Sequence, residues 1–116
     1  MSIKPRKRRG SKVSRRFLRS LDRYLRVHQE ALLEVGEESY ACRVHDYDNE
    51  RITLSAPLDE EGYPVLIAKG SKARVVLRSG LRFLGFETSV EPRVIEGIPV
   101  VVVFRPAAGE LTDRRE

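Results

Sequence analysis

The chain has 116 residues, which is enough for one ordinary domain, and it is 41% hydrophobic and 34% charged. Its single cysteine, Cys42, excludes an internal disulfide and suits a reducing compartment. The longest apolar run, residues 98–104, is the length of a strand and too short for a membrane-spanning helix. We therefore expect a soluble, cytoplasmic protein.

The net charge of +5 is unevenly distributed along the chain. The first 26 residues hold eleven bases against one acid, Asp22, whereas the remainder holds eleven bases against sixteen acids, so the two parts carry about +10 and about −5. Such an asymmetry favours an electrostatic contact with an anionic partner and says nothing about fold. The candidate contact residues are Lys4, Arg6, Lys7, Arg8, Arg9, Lys12, Arg15, Arg16, Arg19 and Arg23.

The basic segment divides into two predicted elements. Residues 1–13 are almost wholly polar and predict a disordered arm. Apolar residues then recur at spacings of three and four, which is typical of a helical stripe, and Ser14 is a suitable N-cap. The stripe consists of Val13, Phe17, Leu21, Tyr24 and Leu25, joined by Leu18. We predict an amphipathic helix over residues 14–26 that covers an open end or a seam of the body.

Beyond residue 26 the hydrophobic period changes to two, which indicates strands. An Asp/Asn-rich segment at 46–50 predicts a hairpin turn, and Pro92 is expected to break a strand. The predicted strands lie near residues 31–35, 40–45, 51–56, 73–78, 84–90 and 98–105. We predict a mainly β fold: a small antiparallel, split-barrel-like β-barrel of five to six strands over residues 27–106. Residues 107–116 are predicted to be a tail or a truncated linker.

Residues suited to catalysis or metal binding are few and scattered. The two histidines, His28 and His45, have no nucleophile signature around them and are interpreted as exposed or loop residues. Cys42 shares its phase with apolar neighbours, so we interpret it as a buried, inert thiol. The sequence has no Cys/His cluster that would hold a metal. We therefore predict a protein that is not an enzyme.

The basic arm leaves several partners open. It could be a solubilising tail, or it could supply phosphate contacts to DNA or RNA with a steep salt dependence. Against nucleic acid, Phe83 is the only clear aromatic in the outward phase of a strand, whereas single-strand binders stack several bases. A membrane surface is less favoured because tryptophan is absent.

The order of motifs from Leu25 onward resembles the N-terminal domain of YcgR-type flagellar brake proteins. The matching segments are LRVHQEALLEV, ESYACRVHDYDNERITLSAP, VLIAKGSKARVVL, GLRFLGFETSV and IPVVVVFRP. The residues that carry the pattern are Tyr40, Arg43, Val44, Pro57, Gly70, Gly80, Phe86, Thr88, Val90 and Pro106. Each segment is short, and their order over about 90 residues is the basis of the resemblance.

In that family the barrel precedes a PilZ domain that binds cyclic di-GMP through an Arg-x-x-x-Arg motif. Arg115 matches the first arginine of the motif and Arg114 its neighbour, but the second arginine and the later Asp/Asn-x-Ser-x-x-Gly element are missing. The resemblance thus implies no cofactor for this chain, with cyclic di-GMP relevant only if a PilZ domain follows or is supplied in trans.

The resemblance implies a non-catalytic adaptor that docks on a protein, namely a flagellar motor component, within cyclic di-GMP signalling and motility control. The alternative is a nucleic-acid-binding module with a basic tail on a small β-barrel. The sequence leaves open the partner, the oligomeric state and the presence of a following PilZ domain.

Overall fold

The computed structural model describes residues 18–112, so the predicted arm (1–13) and residues 113–116 lie outside the described part. The strands are β1 (Leu18–Ser20), β2 (Glu30–Val35), β3 (Glu38–Tyr47), β4 (Arg51–Ser55), β5 (Lys72–Ser79), β6 (Arg82–Ile95), β7 (Ile98–Phe104) and β8 (Ala108–Thr112). One 3-10 turn spans Leu21–Arg23. The described chain is mainly β, as predicted. Among its residues, no helix has the length and hydrophobicity to cross a bilayer.

Six of the strands close into an antiparallel barrel in the order β2–β3–β4–β7–β6–β5, and β5 pairs back with β2. Outside the ring, β8 adds to the edge of β6, and β1 adds to β8. The prediction of a small antiparallel barrel with up to six strands is confirmed for the ring. The two additional strands were not predicted.

The barrel interior is filled by the apolar side chains of the alternating runs. Leu33 of β2, Val44 of β3 and Leu54 of β4 are fully buried and belong to one continuous core. Their sequence neighbours point outward because successive side chains on a strand face opposite sides. Full burial of each such side chain stabilises the fold by about 1.5–3 kcal/mol, so the period-two pattern is also the main source of stability.

The predicted helix over residues 14–26 is wrong for its described part. Residues 18–20 form β1 and residues 21–23 form a single 3-10 turn, whereas 14–17 lie outside the described residues. The stripe nevertheless marked the buried side chains, since Leu21 and Leu25 both lie in the core. A helix of about 13 residues is marginal by itself, and here β8 pairs with β1 and thereby provides backbone partners from far along the chain.

The N-terminal segment is held in place by polar contacts. The side chain of Arg105, only 8% exposed, contacts the Asp22 carboxylate and donates to the carbonyl oxygen of Asp48 at 2.7 Å. The amide of Gln29 donates to the carbonyl oxygens of Tyr24 (2.7 Å) and Arg78 (2.8 Å). These contacts explain how a segment with one short turn keeps a fixed position.

The prediction of a tail from residue 107 is wrong for residues 108–112, which form β8. Leu111 lies in the core, and β8 pairs with the first part of β6. The segment has too few apolar residues for a visible alternation. Its pairing is possible because Gly109 lets two backbones approach closely: a Cβ there would lie 2.7 Å from the carbonyl oxygen of Gly85.

Pro92 does not end its strand, contrary to the expectation from sequence. β6 continues through Pro92 to Ile95, and Pro92 pairs with Val101 of β7. No strand among the described residues pairs with the other edge of β6 at this point. A proline is tolerated on such an edge because no ladder needs its missing N–H.

We predict that Gly109→Ala lowers the free energy of unfolding by about 1–3 kcal/mol, because the new Cβ would press on backbone. Gly85→Ala is the matched control. Its Cβ would also meet an atom too closely, the Nη2 of Arg74 at 2.4 Å, but that atom ends a flexible, partly exposed side chain that can move. Urea denaturation of both variants tests the prediction, and equal losses of stability would contradict it.

Candidate docking surfaces

An exposed apolar patch lies where the loop after β4 meets the β6–β7 hairpin. Its most prominent members are Leu66, 95% exposed, and Val94, 69% exposed. Both line a small pocket of about 220 Å³. We call the following exposed residues around this pocket the Leu66 patch: Pro64, Leu66, Pro92, Val94 and Pro99. Clustered exposed apolar side chains mark interaction surfaces more often than isolated ones do, so this patch is a candidate docking surface.

A second surface is a groove of about 600 Å³ on the outer face of β2, β3 and β5, which we call the β2 groove. The outward side chains of Leu32, Ala41 and Val76 lie on neighbouring strands, because Leu32 pairs with both other residues in the sheet register. Leu58 and Phe83 also line the groove; Leu58 bridges to Ala41, and Phe83 lies on β6 beside β5. The groove therefore offers a mainly apolar surface that is open to solvent.

Three charged side chains line the same groove. Glu30 accepts ion pairs from Arg78 at 3.2 Å and from Arg43 at 3.8 Å, and all three side chains are more than half exposed. Two guanidinium groups thus share one carboxylate, which leaves a local positive charge. Exposed ion pairs contribute about 0–1 kcal/mol each, so this arrangement can rearrange at little cost.

The negative charge of the body is concentrated near the β2–β3 turn. Five carboxylates and two other polar side chains line one shallow depression of about 510 Å³ there. They are Glu37, Glu38, Ser39, Tyr40, Asp59, Glu60 and Glu61. No cluster that could hold a metal ion was found among residues 18–112. The acidic residues of the body therefore cluster in this depression, and all five that line it are exposed.

The residues considered for catalysis occupy separate environments. Cys42 is buried, and desolvation raises the pKa of its thiol from 9.0 to about 12. His28 and His45 are exposed, as the sequence predicted. The carboxylate of Asp48 accepts the backbone N–H groups of Glu50 and Arg51, each at 2.8 Å, and these bonds lower its pKa. Asp48 therefore stabilises the β3–β4 turn, and Cys42 has the environment of an inert core thiol.

The predicted anion-contact residues are only partly described. Arg19 in β1 and Arg23 in the 3-10 turn are exposed. The predicted nucleotide-contact residues Arg114 and Arg115 lie outside residues 18–112, as do the other contact residues of the arm. Those residues are Lys4, Arg6, Lys7, Arg8, Arg9, Lys12, Arg15 and Arg16. Their roles therefore stay predictions.

Sequence reasoning missed both apolar surfaces. The β2 groove combines residues that are up to 53 positions apart, from Glu30 to Phe83, and no local pattern joins them. The Leu66 patch had a usable signal, since Leu66 is a large apolar residue in a segment rich in proline and charge. An apolar residue in such a segment either packs inward, as Ile67 does, or serves a contact.

The described residues form a small antiparallel barrel with an apolar groove and an exposed apolar patch on its surface. Sequence comparison then shows the family: the model of the PilZNR family, flagellar protein YcgR, matches residues 25–106. This match covers more than half of the chain and all six strands of the ring. The chain therefore belongs to the YcgR-type family of flagellar proteins. No curated protein matched the chain by sequence.

Two solved structures share the fold. The inhibitor of motility MotI/DgrA from Bacillus subtilis superposes with a TM-score of 0.68 at 15% identity, over 78% of this chain and 48% of MotI/DgrA. The YcgR-N domain of YcgR from Escherichia coli gives a TM-score of 0.62 at 12% identity, over 85% of this chain and 97% of that domain. The chain therefore spans about half the length of MotI/DgrA. At such identities the likeness shows the fold alone.

We predict that the stability of the protein depends on the thiol of Cys42 at high pH. The folded thiol keeps its proton up to about pH 12, whereas the unfolded thiol loses it near pH 9. The protonated thiol's contribution to the free energy of unfolding is therefore fully present below pH 9. It is lost as the pH rises from 9 to 12, by at most about 1.4 kcal/mol per pH unit. Denaturation of the wild type and of Cys42→Ala at pH 7 to 11 checks this, because their difference should shrink above pH 9. Parallel curves for the two proteins would contradict it.

Proposed function

We propose that this chain is a non-catalytic regulatory domain of flagellar motility that acts by docking on a protein component of the motor. The observation that carries the proposal is the family match over residues 25–106, which spans the whole barrel ring. MotI/DgrA, which shares the fold, is an inhibitor of motility, and this supports an inhibitory direction for the present chain. We place the protein in the cytoplasm.

The docking surface in this proposal is the Leu66 patch. Leu66 and Val94 expose large apolar side chains and line the same pocket, and removing such area from water favours association by about 25 cal/mol per Å². The three prolines of the patch lack backbone N–H donors, so the backbone there is poorly suited to add a strand. Docking therefore uses side chains, as a hydrophobic contact between two folded surfaces does.

We further propose that cyclic di-GMP acts through a PilZ domain that follows or is supplied in trans, and that this chain needs no cofactor of its own. Arg114 and Arg115 would contribute to the ligand site of such a domain. By themselves two neighbouring arginines do not make the multiple bidentate contacts that hold such an anion firmly.

To test the proposal, the chain is expressed in a motile bacterium whose own YcgR-type brake protein has been deleted, and swimming speed is measured. We expect the wild type to slow swimming and Leu66→Asp/Val94→Asp to lose most of that effect, because a carboxylate in an apolar contact opposes docking. Leu81→Asp is the control: Leu81 is 87% exposed but lies on the β5–β6 turn, away from the patch. It should slow swimming as the wild type does.

The proposal is wrong if the wild type, produced at the level of a native brake, leaves swimming unchanged. If the patch variant still slows swimming fully, the Leu66 patch is not the docking surface, and the proposed regulation of motility still stands. Titration of a fluorescent DNA duplex at two salt concentrations tests the alternative. Salt-sensitive binding that disappears when residues 1–17 are deleted would favour the nucleic-acid module.

A further inference from the structure

The β6–β7 hairpin extends beyond the barrel. On β6 the pairing with β5 stops at Ser89, and on β7 the pairing with β4 starts at Val100. The outer part, residues 94–99, is a two-stranded ribbon whose strands pair only with each other among the described residues. A two-stranded ribbon is marginally stable by itself, so a ribbon that projects with apolar side chains is suited to be covered by a partner.

The tip of this ribbon combines apolar side chains with one acid. Ile95 and Ile98 are exposed and pair with each other across the turn, and Glu96 lies between them. Glu96 has a φ of 53°, a left-handed conformation that is unfavourable for glutamate and that asparagine or glycine adopts more easily. We call Ile95, Glu96 and Ile98 the hairpin tip. These residues do not line the pocket of the Leu66 patch.

The β2 groove has the complementary chemistry. Its floor is apolar at Leu32 and Val76, and the two arginines that share Glu30 leave a positive charge beside it. An apolar side chain that enters the groove with a carboxylate next to it would cover the floor and give the second guanidinium group a carboxylate of its own. The hairpin tip carries both groups at neighbouring positions.

The hairpin cannot fold back into the groove of its own molecule without losing strand pairs. Its pairing runs out to Ile95 and Ile98, which pair with each other next to a two-residue turn. The near side of the groove begins at Ser55, which pairs with Val100 at the base of the hairpin. The contact considered is therefore one between the tip of one molecule and the groove of another.

We propose that the hairpin tip of one copy of this chain docks in the β2 groove of a second copy, with Glu96 facing Arg43 and Arg78. The tip and the groove are different surfaces, so two copies can exchange tips and close as a dimer, or further copies can add to an open groove and an open tip as a chain or a ring. In either case association increases as the concentration rises. This inference does not rest on the proposed function, because it uses Ile95, Glu96 and Ile98, whereas the proposed docking uses Leu66 and Val94.

Sedimentation velocity of the full chain from about 10 μM to 1 mM at low salt measures the assembly. We expect the average mass to rise above that of the monomer. Glu96→Arg should weaken the association at least tenfold, and so should Arg43→Glu/Arg78→Glu, because each places like charges opposite one another. Glu60→Arg, which makes the same charge reversal in the acidic depression, is the matched control and should assemble as the wild type does.

Mixing gives the sharpest readout. The tip variant keeps an intact groove and the groove variant keeps an intact tip, so an equimolar mixture should form dimers and stop there. Combining all three substitutions in one chain should restore assembly, because the charges are exchanged. Glu96→Asn removes the carboxylate but suits the left-handed turn better than glutamate does, so this variant should fold at least as well as the wild type. It should still weaken association.

A chain that stays monomeric up to 1 mM overturns the inference. So does an assembly that neither the tip nor the groove variant weakens. Assembly lost only in Glu60→Arg would assign it to the basic arm on the acidic depression instead. None of these outcomes bears on the swimming assay, which tests the proposed function separately.

Discussion

The closed barrel depends on the change of partner along strand β6. Its first part, up to Ser89, pairs with β5, and its second part, from Val90, pairs with β7. Because β7 also pairs with β4, this change joins the two ends of the sheet and removes the open edges that an unclosed sheet would expose. The core residues on every strand of the ring then face one interior.

The same strand also contributes to both apolar surfaces of the molecule. Its first residues border the β2 groove and pair with β8, whereas its last residues leave the barrel as part of the hairpin. The 95 described residues thereby present two apolar surfaces that meet at Leu58, which lines the groove and bridges to Pro64 of the Leu66 patch.

The candidate sites were predictable only where their signal is local. The basic arm, the inert environment of Cys42 and the exposure of His45 follow from charge counts and from strand phase, and the structure confirms the last two. The β2 groove was not predictable, because Glu30 meets Arg43 and Arg78 through pairings between different strands. Each of these residues by itself is an ordinary outward charge on a strand.

The sequence by itself determined which side chains form the core. The apolar pattern over β2 to β7 marks Leu33, Val44 and Leu54 as core residues. The apolar stripe of the wrongly predicted helix likewise marked Leu21 and Leu25. It also determined the family, through the order of its motifs. Only the tertiary structure decided the backbone of the first described segment, the strand β8 and the passage of β6 through Pro92. The physical reason is that burial follows from the character of a side chain and its neighbours, whereas a strand needs hydrogen-bond partners that lie far away in the chain.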